Sequence, residues 1–159
     1  MKLAEKYGAD VHRAEVAGLL HDCTKKLSMP EQLALCEKYG IALDELEKKA
    51  LKLLHAKTGA AAAQSIFGES DAVVSAIKYH TTGKPDMTAL EKIIYLADMI
   101  EPNRKPYPGL EALRKLCMTD LDEAMHMALL MSLDHVREQG KPLHPDTMAA
   151  LAEYEPGLV

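Results

Sequence analysis

Thr88-Ala89-Leu90-Glu91-Lys92-Ile93-Ile94-Tyr95-Leu96-Ala97-Asp98-Met99-Ile100-Glu101-Pro102 is the stretch that decides the fold class. Thr88 with Glu91 three residues later is a capping-box start, and Pro102 is a stop. Residues 93–100 form an apolar helical run interrupted once, at Asp98. A carboxylate surrounded by apolar neighbours faces the interior, where an unpaired charge costs several kcal/mol and needs a cation or good donors. A metal ion and a salt bridge to Lys or Arg meet that need equally well.

The same punctuation recurs on both sides. Upstream, Asp10 caps a helix through Val16, Leu19 and Leu20, and Ser28 with Glu31 opens another, with Pro30 in its first turn and Gly40 as its stop. Asp44 with Glu47 repeats that start ahead of Leu51 and Leu54, residues 57–67 are Ala-rich and end at Gly68, and Ser70 or Asp71 caps the helix of Val73, Val74 and Ile77. Downstream, a short helix over residues 110–116 follows Pro108-Gly109, Asp120 starts a long one that Gly140 stops, and Pro145 or Asp146 begins the last. Residues 1–7 read as the tail of a helix. No stretch alternates apolar and polar residues with β-branched enrichment, so the pattern predicts one all-α domain over residues 1–159, a bundle of about seven or eight helices.

Composition agrees. The chain is 48% hydrophobic and 27% charged, enough for a real core, but only 4% aromatic with no Trp, so the core is built from Leu, Ile, Val, Ala and the 9 Met. A net charge of -5 argues against nucleic acid as a partner, and no apolar run approaches the roughly 20 residues needed to span a membrane. Three cysteines, Cys23, Cys36 and Cys117, without a CxxC spacing fit reduced thiols in the cytoplasm. Cys23 reads as a small packing residue and the Met residues as core filler.

A second signal joins Asp98. In Gly18-Leu19-Leu20-His21-Asp22 an apolar helix runs into a His-Asp pair, and His55 and His80 follow apolar residues in a related way, each near the end of a helix. A His-Asp pair alone also suits a helix C-terminus. Several candidates of metal-ligand type on separate helices are a stronger signal, because bundles build metal sites from inward-facing side chains, and imidazole with carboxylate suits Fe, Mn or Zn. Of the other histidines, His12 reads as exposed, while His126 and His135 are roughly 14 Å apart along one helix and cannot share an ion.

The chain resembles the YqeK family of HD-domain proteins, which are symmetrical dinucleoside-tetraphosphate hydrolases. The resemblance rests on residues 17–25, Leu53-Leu54-His55, Tyr79-His80-Thr81-Thr82-Gly83, residues 90–98, Ile100-Glu101-Pro102-Asn103-Arg104, and Gly140-Lys141-Pro142-Leu143-His144-Pro145-Asp146-Thr147. It implies that His21, Asp22 and Asp98 are metal ligands, with iron the expected metal and manganese or another transition metal as alternatives. It implies that Asp22, His55, His80, Thr81, Asp98 and Arg104 border the nucleotide diphosphate, and that Lys141, Pro142, Leu143, His144, Pro145 and Asp146 hold its other end. Asp22, His55 and His80 would carry catalysis, the histidines by stabilising charge on phosphate or by proton transfer. The partner implied is a dinucleoside polyphosphate or ADP, with a homodimer as the assembly. Arg104 suits this chemistry as a planar fork for phosphate oxygens, and Lys141 as a point charge.

One family ligand is not in the sequence: an earlier His on the preceding helix, upstream of the segment aligned with residues 2–10. His12 would lie about 14 Å from His21 on one helix and is no substitute. The expectation is a truncated first helix. The rival activities are another HD-domain nucleotide phosphohydrolase, such as a nucleotidase, and a nucleotide-binding regulatory module with impaired catalysis.

Overall fold

Helix punctuation sets where the chain turns. The computed structural model describes residues 1–157. Among them, nine α-helices follow in order: α1 (Lys2–Tyr7), α2 (Val11–Leu20), α3 (Met29–Lys38), α4 (Leu51–Phe67), α5 (Asp71–Lys78), α6 (Ala89–Ile100), α7 (Leu110–Cys117), α8 (Leu121–Glu138) and α9 (Pro145–Ala152), with a 3-10 turn at Glu47–Lys49 and no strand. The Asp10 carboxylate accepts from the Arg13 N–H at the start of α2. Thr88 and Glu91 close the capping box of α6, and Asp120 accepts from the N–H groups of Asp122 and Glu123 at the start of α8.

Two expectations change. The count is nine rather than seven or eight, partly because α1 closes on Gly8 at φ 67° and stands as a separate six-residue helix. The Asp44–Glu47 pair does form a reciprocal cap, Asp44 N–H to Glu47 at 3.0 Å and Glu47 N–H to Asp44 at 2.7 Å. It closes only the 3-10 turn, because Ala50 at φ -119°, ψ 81° leaves the helical region. Residues 51–67 then run as one helix.

The core is aliphatic and centred on α6, where Ile93, Tyr95 and Leu96 are almost wholly buried. Burying each such side chain contributes roughly 1.5–3 kcal/mol. The polar end of Tyr95 is satisfied by Ser132 of α8 at 2.9 Å. Only Met87 and Met125 belong to the buried core, while Met1, Met118 and Met148 are exposed, so the methionines are not uniformly core filler. Cys23 is exposed too, on the outside of the turn that aims its neighbour Asp22 inward, so it is not a packing residue. Helix α5 packs against α2, α4 and α6, which brings the C-terminal ends of α2, α5 and α6 close to the first turns of α4.

Candidate metal centre

His21 and His80 are positioned by one local device. Each lies just past a helix, α2 or α5, where last-turn carbonyls lack helical partners. His21 Nδ1 lies 2.7 Å from the Gly18 carbonyl and His80 Nδ1 2.7 Å from the Ile77 carbonyl. A carbonyl only accepts, so Nδ1 carries the proton in both rings and Nε2 keeps its lone pair for a ligand. Gly83 closes the turn after His80, its N–H donating to the Tyr79 carbonyl at 2.8 Å, with a φ of 68° that a residue bearing Cβ rarely adopts.

Asp22 is the meeting point. Its Oδ1 lies 3.2 Å from His55 Nε2 and 3.7 Å from His80 Nε2, and its Oδ2 lies 3.4 Å from His21 Nε2. The Nε2 atoms of His55 and His80 are 3.2 Å apart. His55 is the fifth residue of α4, in its first turns and not near its end. His21 Nε2 is 3.8 Å from Asp98 Oδ1. His21, Asp22 and His80 offer donor atoms all within 4.8 Å of one another, and Asp98 stands one step out through His21.

The electrostatics suit a cation. Burial pushes the Asp22 carboxyl up, but His80, Lys25 (2.6 Å away) and His21 outweigh it and hold the group well below the usual carboxylate range. Burial acts the same way on Asp98 and is outweighed by His21 and Arg104, so this carboxyl is also lowered. Burial and the neighbouring His80 bring the His55 ring down to about 4, so it is neutral near pH 7. For His21, burial lowers the value, but hydrogen bonds to Asp98 and Gly18 and the charge of Asp22 raise it further than burial lowers it, so this ring favours a second proton, on Nε2, that a bound metal would displace.

Two buried side-chain oxygens among the described residues lack a hydrogen-bond partner, Asp22 Oδ1 and Thr81 Oγ1. Native proteins leave few such groups without a reason. The two Nε2 lone pairs, the ionised Asp22 and its unpartnered oxygen fit a divalent transition metal. Thr81 Oγ1, next along the chain from His80, fits an oxygen-rich ligand.

The remaining expected residues sit as follows. Arg104 reaches back to Asp98, its guanidinium 2.9 Å from the carboxylate and donating to the Asp98 carbonyl, so the salt-bridge reading of Asp98 is met by Arg104. Lys141 is exposed and paired with Gln139 at 2.8 Å. Pro142 and Pro145 are exposed, Leu143 packs on the core, and Asp146 is half-buried. His144 is buried and caps α9. A cavity of about 410 Å³ lined by Tyr7, Lys92, Thr119, Asp120 and Asp122 includes none of these side chains.

Sequence reasoning missed the support beneath the site. Gln32 donates to the Thr24 carbonyl at 2.6 Å, Thr58 donates to Gln32 at 2.5 Å, and Thr24 donates to the His55 carbonyl at 3.0 Å. These three buried polar side chains tie the His21–Asp22 turn to α4. Only Lys25 was signalled locally, three residues after Asp22.

The HD domain model matches residues 1–103. The symmetrical bis(5'-nucleosyl)-tetraphosphatase of Bacillus subtilis (strain 168) is 38% identical over 148 residues, covering 92% of this chain and 78% of that protein. The protein of the same name from Halalkalibacterium halodurans is 39% identical over an equal span and coverage. A crystal structure from Clostridium acetobutylicum, described as a predicted HD superfamily hydrolase involved in NAD metabolism, superposes with a TM-score of 0.89 at 38% identity, over 94% of this chain and 79% of that one.

Proposed function

This chain belongs to the HD-domain family, and from that premise we propose that it is a metal-dependent hydrolase that cuts diadenosine tetraphosphate symmetrically, adding one water to give two ADP. The observation that carries the reading is that Asp22, whose buried Oδ1 lacks a hydrogen-bond partner, gathers His21, His55 and His80 around it with Asp98 beside His21, in a chain whose relatives bear that name.

His21, Asp22 and Asp98 would hold the metal, for which we propose iron, and His80 Nε2 lies within reach of the same donors. The ion supplies Lewis acidity toward a phosphoryl oxygen and activation of water. His55, neutral near pH 7, would take a proton at Nε2 and return it later in the cycle. Thr81 Oγ1 donates to a phosphate oxygen, and Arg104, already oriented by Asp98, offers its remaining N–H groups to the departing diphosphate. The segment 141–146 holds the far end of the nucleotide. The free thiols of Cys23, Cys36 and Cys117 support a cytoplasmic site of action, and the exposed Leu19, Ile66 and Phe67 support a homodimer.

The test is product analysis by chromatography after incubation of protein loaded with iron(II) or manganese(II) with diadenosine tetraphosphate. Two ADP per substrate is the expected result. ATP with AMP, or no hydrolysis by metal-loaded protein, overturns the assignment.

A further inference from the structure

We infer that Glu47 is a positioning residue for nucleotide binding: through Lys57 and His144 it locks the segment 141–146 to the helix that carries His55. The inference rests on the proposed function in one respect, that this segment touches the nucleotide.

Glu47 is 3% exposed, which for a carboxylate demands partners. Its Oε1 is 2.5 Å from Lys57 Nζ and 3.3 Å from His144 Nε2, and its Oε2 accepts from the Asp44 N–H. His144 has no rotational choice. Its Nδ1 accepts from the Asp146 N–H at 3.1 Å as the cap of α9, so the ring proton sits on Nε2 and points at Glu47. A neutral imidazole therefore bridges the start of α9 to a buried carboxylate. Lys57 lies two residues beyond His55 on α4, so the anchor of the segment and the metal centre share one rigid element. Glu47, Lys57, His144 and Asp146 line one crevice with Thr81, the residue next to His80. Asp44, Glu47 and His144 could also be grouped as a cation site, but the Lys57 ammonium already stands at the buried oxygen that an ion would need.

The chemistry predicts a split effect. Glu47→Gln keeps the shape and removes the charge that orders His144 and Lys57. The segment 141–146 should loosen while the metal donors, which do not touch Glu47, stay in place. In steady-state hydrolysis of diadenosine tetraphosphate, KM should rise about tenfold or more, the loss of one charge-assisted hydrogen bond, with kcat within about threefold of the parent and metal content unchanged. If Glu47→Gln does not fold, Glu47→Leu with Lys57→Met removes both charges and leaves neither stranded, and the same KM shift is expected. A role confined to stability would lower the melting temperature and leave KM of the folded protein alone. Amide hydrogen exchange in nucleotide-free protein gives a second readout: faster exchange across residues 141–146 is expected in the variant. Parental KM or unchanged exchange overturns the inference. A parent that binds metal but hydrolyses no diadenosine tetraphosphate overturns the proposed function instead, and the exchange experiment still decides the role of Glu47.

Discussion

Asp98 interrupts an apolar helix and faces His21 on one side and Arg104 on the other. Asp98→Asn keeps the shape of the side chain and removes its charge. Bound metal should fall to a small fraction of the parent's while far-ultraviolet circular dichroism stays near parental, because the apolar packing of α6 is untouched. Metal content equal to the parent's in elemental analysis would remove Asp98 from the ligand set. Glu91, seven residues earlier, is a carboxylate serving stability. Burial pushes its carboxyl up, but hydrogen bonds from Ser75 and Thr88 and the Lys84 charge prevail, so the folded group lies below its ordinary value. A depressed carboxyl stabilises the fold above its unfolded pKa, about 4.3, and that contribution is lost as pH falls through the folded value. Glu91→Gln should therefore cost roughly 1–3 kcal/mol at pH 7, and the gap from the parent should shrink as pH is lowered past 4. Denaturant unfolding at several pH values measures it; a gap independent of pH would contradict the assignment.

Helix α4 carries His55 and packs on the turn of His21 and Asp22, with Gly59 facing that turn. A Cβ there would lie 3.5 Å from the His21 carbonyl oxygen and 3.6 Å from atoms of Ile77 and Thr24, which is ordinary contact. The glycine is thus not required by sterics, and Ala is preferred to Gly inside a helix by about 0.5–1 kcal/mol. Gly59→Ala should raise the melting temperature by roughly 1–4 °C and leave metal content unchanged. A lower melting temperature would mean that α4 must move closer to the turn than it stands. The same helix marks a limit of local reading. Asp44 and Glu47 show a start signal in sequence and in hydrogen bonds, yet the helix begins only at Leu51, because the backbone at Ala50 breaks the run.

Across the whole molecule, the proposed metal donors come from the ends of α2 and α5 and from within α6. An ion bound there joins elements that are separate in the unfolded chain, so it binds the native state in preference and stabilises by mass action. Metal at a hundredfold its dissociation constant contributes about 2.7 kcal/mol. For a chain of 159 residues that is roughly a 5–10 °C rise in melting temperature. Calorimetry with manganese(II), then with chelator, should show the rise and its reversal, and Asp98→Asn should blunt it. A melting temperature indifferent to metal would argue that the donors are not joined by an ion.

What the sequence determined by itself was whatever is encoded within a few residues. Caps at Asp10, Thr88 and Asp120 are satisfied by N–H groups two or three positions on, so their patterns can be read without knowing what packs against them. The family motifs likewise marked His21, Asp22, His55, His80 and Asp98, which the fold gathers around Asp22 and His21. Tertiary structure decided which charges meet. Glu47 and His144 are 97 positions apart, and nothing local to either names the other. The rank of Asp98 behind the His21, Asp22 and His80 group, the use of Arg104 as its partner and the outward face of Cys23 were also settled by packing. The physical reason is range. A capping hydrogen bond is chosen by its own short segment, whereas a buried ion pair is chosen by the sum of apolar contacts that bring two distant segments together.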